Sequence, residues 1–278
     1  MPLQSPALIS DFPEGADETE TIGLCIPTRS HFLIRRFFVS TLTGCPTFID
    51  LRALATDLPA GDMPGTDAFT SGFHPVNLSS GPCEIGLLAL PAGQGETCED
   101  RGDTWIFVLE GKVTVTDASG ALDLAAGESF GVARDTPFAW SSDGGARLVI
   151  MRYLEGPSGN PGITRIDNDA ELSPSNPPAA ELLLGETPSC RANTMFASAD
   201  EAFKCGIWDS TPYQRTPIFF HHCELMHLLE GSVTFVDAEG REATFSKGDT
   251  FVIEQGAECS WDSQVDVTKI FALWRKPA

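Results

Sequence analysis

Three of the chain's five histidines fall in one short stretch, Phe219-Phe-His-His-Cys-Glu-Leu-Met-His227, around a single glutamate. Imidazole and carboxylate are ligand types that hold Mn, Fe, Ni or Zn and leave positions open for a substrate. Side chains alternate along a strand, so His222 and Glu224 share one face, and His221, Cys223 and His227 share the other. A bulge near His221–His222 would turn the second imidazole onto the Glu224 face. Just upstream, Tyr213 can give up a proton and Arg215 can hold a substrate carboxylate, which makes them the candidate catalytic pair. A plainer reading stays open. His221 and His222 then end a strand near solvent, Glu224 and His222 pair with Tyr213 or Arg215, and Arg215 is a surface charge.

The elements that must position these residues come from an internal repeat. Leu109-Glu110-Gly111 and Asp117-Ala-Ser-Gly120 recur as Leu229-Glu230-Gly231 and Asp237-Ala-Glu-Gly240, all at an offset of 120, as do Gly86 and Gly206. The register then slips by one, so that Gly127-Glu128-Ser-Phe130 matches Gly248-Asp249-Thr-Phe251, and Trp140 matches Trp261. Lys112–Thr116 and Ser232–Val236 alternate apolar and polar residues, the period of a half-buried strand. Turn residues follow each of them. Ser129–Val132, Thr250–Ile253, Leu148–Tyr153 and Val267–Trp274 read as further strands. Short strands with regular turn signals predict an all-β sandwich or barrel.

Between the copies, Gly156-Pro-Ser-Gly-Asn-Pro-Gly162 and Pro174-Ser-Asn-Pro-Pro178 are rich in turn formers, and Ala179–Leu184 suits a short helix. The expected organisation is a tail and strand-like arm over 1–75, a first barrel over 76–155, a linker over 156–195 and a second barrel over 196–278. In the arm, His31–Val39 and Thr47–Leu54 read as strands that pack on a barrel of the same chain or of a partner.

Composition narrows the function classes. Apolar residues make up 42% and charged residues 21%, enough for a packed core. A formal net charge of −21 argues against binding nucleic acid or an anionic membrane. No apolar run is long enough for a membrane helix. The N-terminal segment reads as neither a secretory signal nor a transit peptide, and the eight cysteines form no CxxC pair, so reduced thiols and a cytoplasmic location are expected. Dinucleotide, Walker and G-x-S-x-G signatures are lacking.

The repeated pattern resembles the cupin superfamily. Glu224-x6-Gly231 fits the end of its first motif, and Gly248-x5-Glu254-x-Gly256-x2-Cys259 fits the frame of its second, with Cys259 at the histidine position. GDTFVIEQGAECSW and Gly206-Ile-Trp208-Asp-Ser-Thr-Pro212 look more like the subfamily named after ureidoglycine aminohydrolase. The resemblance implies two tandem jelly-roll barrels and one divalent metal, Mn, Fe, Ni or Zn, in the second. Its ligands would be His222 and Glu224, joined by Cys259 or His221. In the first copy Thr104 and Phe138 stand at the positions of Glu224 and Cys259, so no metal is expected there. Ureidoglycine aminohydrolysis is disfavoured. Two of that subfamily's four ligand positions fall on Ile218 and Phe220, and apolar side chains cannot coordinate a cation.

Two functions follow as expectations. One is a metal-dependent enzyme acting on a small polar metabolite in the second barrel. The other is a metal-free binding or sensor protein without catalysis. Convergence of His222 and Glu224 inside the barrel supports the first, and an outward-facing His222 the second. Cupins commonly pair through sheet faces, and the arm allows a homodimer.

Overall fold

The structure, a computed structural model, describes residues 47–58, 67–78, 81–157 and 159–276. The expected tail and the stretch His31–Val39 lie outside them. In chain order the first strands are β1 (Phe48–Asp50), β2 (Phe73–Pro75), β3 (Cys83–Leu90), β4 (Gly93–Glu99), β5 (Asp103–Asp117), β6 (Gly120–Ala125), β7 (Ser129–Val132), β8 (Thr136–Ser142), β9 (Ala146–Tyr153) and β10 (Ile163–Ile166). They are followed by β11 (Ser173–Ser175), β12 (Cys190–Ala197), β13 (Phe203–Ser210), β14 (Tyr213–Phe219), β15 (His222–Glu230), β16 (Ser232–Val236), β17 (Glu242–Ser246), β18 (Thr250–Ile253), β19 (Glu258–Ser263) and β20 (Val267–Arg275). Two short helices, α1 (Leu51–Thr56) and α2 (Ala68–Ser71), lie early in the chain. The fold is therefore all-β, with curled sheets in a jelly-roll arrangement. Among the described residues no helix is long and apolar enough to cross a membrane.

The sequence repeat is a repeat of strand pairings. Cys83 pairs with Tyr153 as Phe203 pairs with Trp274, and Thr104 pairs with Val132 as Glu224 pairs with Ile253. In the first half the sheet runs β10-β7-β5-β9-β3-β2, with β4, β8 and β6 joined through β5. The second half has a sheet β1-β18-β15-β20-β13-β12-β11 and a smaller one, β14-β19-β16-β17. The recurring Leu-Glu-Gly marks where the chain bends from one sheet to the other. Gly111 and Gly231 have φ of +80° and +82°, and a Cβ on either would lie 2.2 or 2.1 Å from a carbonyl oxygen, Gly145 O or Asp266 O. Only glycine fits such a close approach in the left-handed region.

Each half borrows an edge strand from outside the repeat. β10 covers β7, and β1 covers β18 although the whole first half lies between them in sequence. Paired edges remove a template for aggregation. The expected strand Thr47–Leu54 is cut short after Asp50. The Asp50 carboxylate accepts a hydrogen bond from Ala53 N at 2.9 Å, an N-cap that turns the chain into α1. The expected helix at Ala179–Leu184 shrinks to a 3-10 turn, Ala180–Leu182, in a stretch that runs beside β14.

Three apolar clusters hold the fold. Leu88, Ile106, Phe130, Trp140 and Leu148 fill the first half, and Phe235, Phe245, Phe251, Met226 and Trp261 fill the second. The third lies between the large sheets, where Trp105, Phe107, Met151 and Tyr153 meet Phe203, Leu225, Ile270 and Trp274. His227 belongs to this seam. Its ring lies 4.4 Å from the Phe107 ring, and its Nδ1 is 2.8 Å from Thr250 Oγ1.

Candidate functional site

The candidate site lies on the inward face of the second half. Period-two alternation points His222, Glu224, Met226 and Leu228 of β15 to one side, and Val267, Lys269 and Phe271 of β20 to the same side. Neighbouring β13 contributes Trp208, which pairs across the sheet with Lys269. From the smaller sheet come Tyr213 and Arg215 on β14, with Cys259 and Trp261 on β19.

His222 and Glu224 converge, with Nε2 3.5 Å from Oε2. The other Glu224 oxygen, Oε1, accepts a hydrogen bond from Lys269 Nζ at 2.8 Å. The ammonium is boxed in. It lies 3.1 Å from Met226 Sδ, 4.8 Å from the Trp208 ring centroid and 5.3 Å from that of Trp261. Such cation–π contacts strengthen as water is excluded, and Lys269 keeps only 8% of its side-chain surface. Burial pushes the Glu224 carboxyl up, but Lys269 and His222 more than reverse this and hold it well below the usual carboxylate range.

Arg215 sits at the other end of the aromatic wall. Its Nη1 donates to Cys259 O at 2.8 Å and Thr216 O at 3.1 Å, and its guanidinium lies 5.8 Å from the Phe220 ring centroid. Tyr213 stacks on Trp261, with centroids 5.3 Å apart and planes 11° off parallel. Burial holds the Tyr213 phenol far above its usual range, and the Arg215 guanidinium beside it only partly offsets that. A protonated, buried phenol can donate a hydrogen bond but is a poor base at neutral pH.

The expected donors come together only in part. His221 is exposed and turned out against Phe219, with ring centroids 4.7 Å apart. The register shifts nearby fall elsewhere, between Arg215 and Ile218 in β14 and between Leu228 and Glu230 in β15. Cys259 is buried and pairs with Ile218, and its carbonyl binds Arg215. Among the described residues, no three of His, Cys, Asp and Glu lie close enough to share a metal ion. The cation that Glu224 meets is an ammonium of the chain itself, and a divalent ion there would face its repulsion. This donor set does not fit the metal implied by the cupin resemblance.

The first half gives an internal control. Thr104 stands where Glu224 does, Leu148 where Lys269 does and Leu88 where Trp208 does. Gly95 faces Trp140 as Arg215 faces Trp261, and a Cβ on Gly95 would lie 2.9 Å from Trp140 Nε1. The same fold is thus built without any member of the polar cluster. Lys269 and Trp208 were missed in reading the sequence for metal ligands. The available signal was Lys269 itself, a charge at an inward position of an otherwise apolar closing strand, where the first copy has leucine.

Comparison with known proteins agrees with the fold. Residues 197–271 match the model of the EutQ-like cupin domain. No curated protein matches the chain. Among solved structures, a protein of unknown function of the DUF861 family from Pseudomonas syringae pv. tomato is 29% identical, over 78% of this chain and 93% of that one, with a TM-score of 0.70. A cupin 2 conserved barrel domain protein from Leptotrichia buccalis is 10% identical over 86% of this chain and 99% of that one, with a TM-score of 0.56. A salicylate 1,2-dioxygenase from Pseudaminobacter salicylatoxidans is 12% identical over 80% of each chain, with a TM-score of 0.50. These last two likenesses are of fold alone. The chain is a cupin-fold protein whose residues 197–271 are similar to the EutQ-like cupin domain.

Proposed function

We propose that this chain is a bicupin whose second half binds a small polar metabolite without a metal, and whose first half is a scaffold. One observation carries the reading: the Lys269 ammonium rests on Glu224 between Trp208 and Trp261. Glu224 and Lys269 then act as a fixed acceptor and donor for the ligand, His222 adds a second polar contact, and the tryptophans supply an apolar wall. Such a wall with a few converging polar groups is the usual make-up of a metabolite site.

The second reading is a metal-dependent enzyme, favoured by the 3.5 Å approach of His222 to Glu224. Metal content decides between the two. Protein purified without chelator is assayed by plasma mass spectrometry, beside a His222→Ala/Glu224→Ala variant. The binding reading expects no stoichiometric Mn, Fe, Ni or Zn that depends on these residues. Near-stoichiometric metal that disappears in the variant overturns it. Ureidoglycine aminohydrolysis is not proposed, because Ile218 and Phe220 remain where that chemistry needs ligands.

A further inference from the structure

Three arginine or lysine side chains are buried among the described residues: Arg152, Arg215 and Lys269. Arg152 is clamped by two carboxylates, with Nη2 2.8 Å from Glu99 Oε2 and Nη1 on Glu84. Lys269 has Glu224. Arg215, only 5% exposed, has no carboxylate partner among the described residues. Its Nη1 is committed to two backbone carbonyls, which are neutral. A guanidinium stays protonated at any ordinary pH, so burial cannot be relieved by losing a proton. A buried charge without a counter-ion is costly, and a bound anion would relieve that cost.

The charge count of the site points the same way. Glu224 and Lys269 cancel, and Arg215 leaves one positive charge in excess within a chain of net −21. The fold does not need that charge, since Gly95 serves at the equivalent place in the first half. Arg215 is also linked to the rest of the cluster. Tyr213 hydrogen-bonds the guanidinium through its side chain and stacks on Trp261, the ring that also flanks Lys269.

We infer that the ligand of the second half is a small organic monoanion, a carboxylate whose charged end is taken by Arg215 and whose body lies along the Trp261–Trp208 wall. The inference rests on the reading of this half as a metabolite site. The Arg215 guanidinium, which also meets the Tyr213 side chain, presents planar donors of the kind that match a carboxylate. Tyr213 adds a hydroxyl donor. The Glu224–Lys269 pair then meets a polar group at the far end.

The test is isothermal titration of the full chain with acetate, pyruvate and benzoate, and with acetamide, pyruvamide and benzamide. Thermal melting serves as the folding control. At least one carboxylate is expected to bind, and its amide to bind at least about tenfold more weakly, as loss of a charge-assisted pair requires. Arg215→Gln removes the charge and is expected to abolish that preference. Arg215→Lys keeps the charge without the planar donors and is expected to retain part of it. Should Arg215→Gln fail to fold, the acid–amide comparison in wild type and in Arg215→Lys decides alone. Amides that bind as well as acids, with binding lost in Lys269→Met, overturn the anion assignment but leave the metabolite site standing. Carboxylate binding unchanged in Arg215→Gln overturns the role of Arg215. If none of the six compounds binds, the anion assignment falls. The metabolite-site reading then falls with it only if the metal assay also assigns a His222- and Glu224-dependent ion.

Discussion

Lys269 reaches past Met226 to place its ammonium 2.8 Å from Glu224 Oε1, although their backbones are four residues out of register on adjacent strands. The pair is costly to split. Removing one partner of a buried pair leaves the other charge unmatched, which costs about 3–5 kcal/mol in fully buried cases. Glu224 keeps 15% of its side-chain surface, so the expected loss for Lys269→Met or Glu224→Gln is nearer 2–3 kcal/mol. The double variant is expected to lose much less than the sum. Urea unfolding of the four proteins measures the coupling, and simple additivity would contradict the pairing.

Acid should weaken the fold in two stages. Burial and the charge of Arg52 depress His227 from 6.5 to about 4. The unfolded chain therefore takes up this proton first, and stability falls as pH drops from 6.5 towards 4. That gap is worth roughly 3 kcal/mol. Glu224 is depressed below its ordinary 4.5, so its contribution is fully present above 4.5 and is lost only as pH falls further. In denaturant titrations across pH, His227→Gln should flatten the slope between 6.5 and 4 and leave the lower stage intact. An unchanged slope in that variant would rule His227 out as its source.

The two kinds of glycine separate space from backbone strain. Gly231 has φ +82° and Asp266 O where a Cβ would go, whereas Gly240 has φ +76° and open space around it. Gly240→Ala should cost about 1 kcal/mol, for the left-handed backbone alone. Gly231→Ala should cost about 3 kcal/mol or more, because the bend between the sheets must open. Equal losses would mean that the bend is softer than its geometry implies.

Thiol reactivity should follow burial. Among the described cysteines Cys98 is exposed, whereas Cys190, Cys205, Cys223 and Cys259 are buried. Burial pushes the Cys223 thiol up to about 12, so it is almost wholly protonated at neutral pH. Iodoacetamide labelling of the native protein, read by peptide mass spectrometry, should modify Cys98 well before Cys205 or Cys223. Rapid labelling of Cys223 would mean that the seam between the two halves opens readily.

Much of the architecture was legible because the repeat is written in residues with a mechanical job. Gly111 and Gly231 sit at the bend, and the Asp-Ala-x-Gly segments sit at the hairpins. The period-two pattern likewise placed His222 and Glu224 on one face. The occupant of that face was hidden, because Lys269 lies 45 residues from Glu224 and meets it only through the β15–β20 pairing. A motif read along one strand ranks Glu224 by its neighbours in sequence, and after His222 the nearest bases to it are His221 and His227. Across the sheet, the nearest base is a lysine. α1 escaped for a different reason: Leu51, Leu54 and Ala55 fall at helical spacing, but the run is too short for that spacing to stand out, and the Asp50 cap decides it.

Phe48 finds its partner, Ile253, about 200 residues later in the chain. At a synthesis rate of roughly 5–20 residues per second, the first strand leaves the ribosome some 10–40 s before the strand it will cover exists. The first half can close in that interval, since β10 arrives directly behind it. The second half cannot finish until the beginning of the chain comes back to it. A free fragment ending near residue 170 would hold every strand of the first half and a β1 without β18. The β1–β18 pairing is thus a ring closure between distant parts of the described chain, and the half proposed to bind a ligand is the one that waits for it.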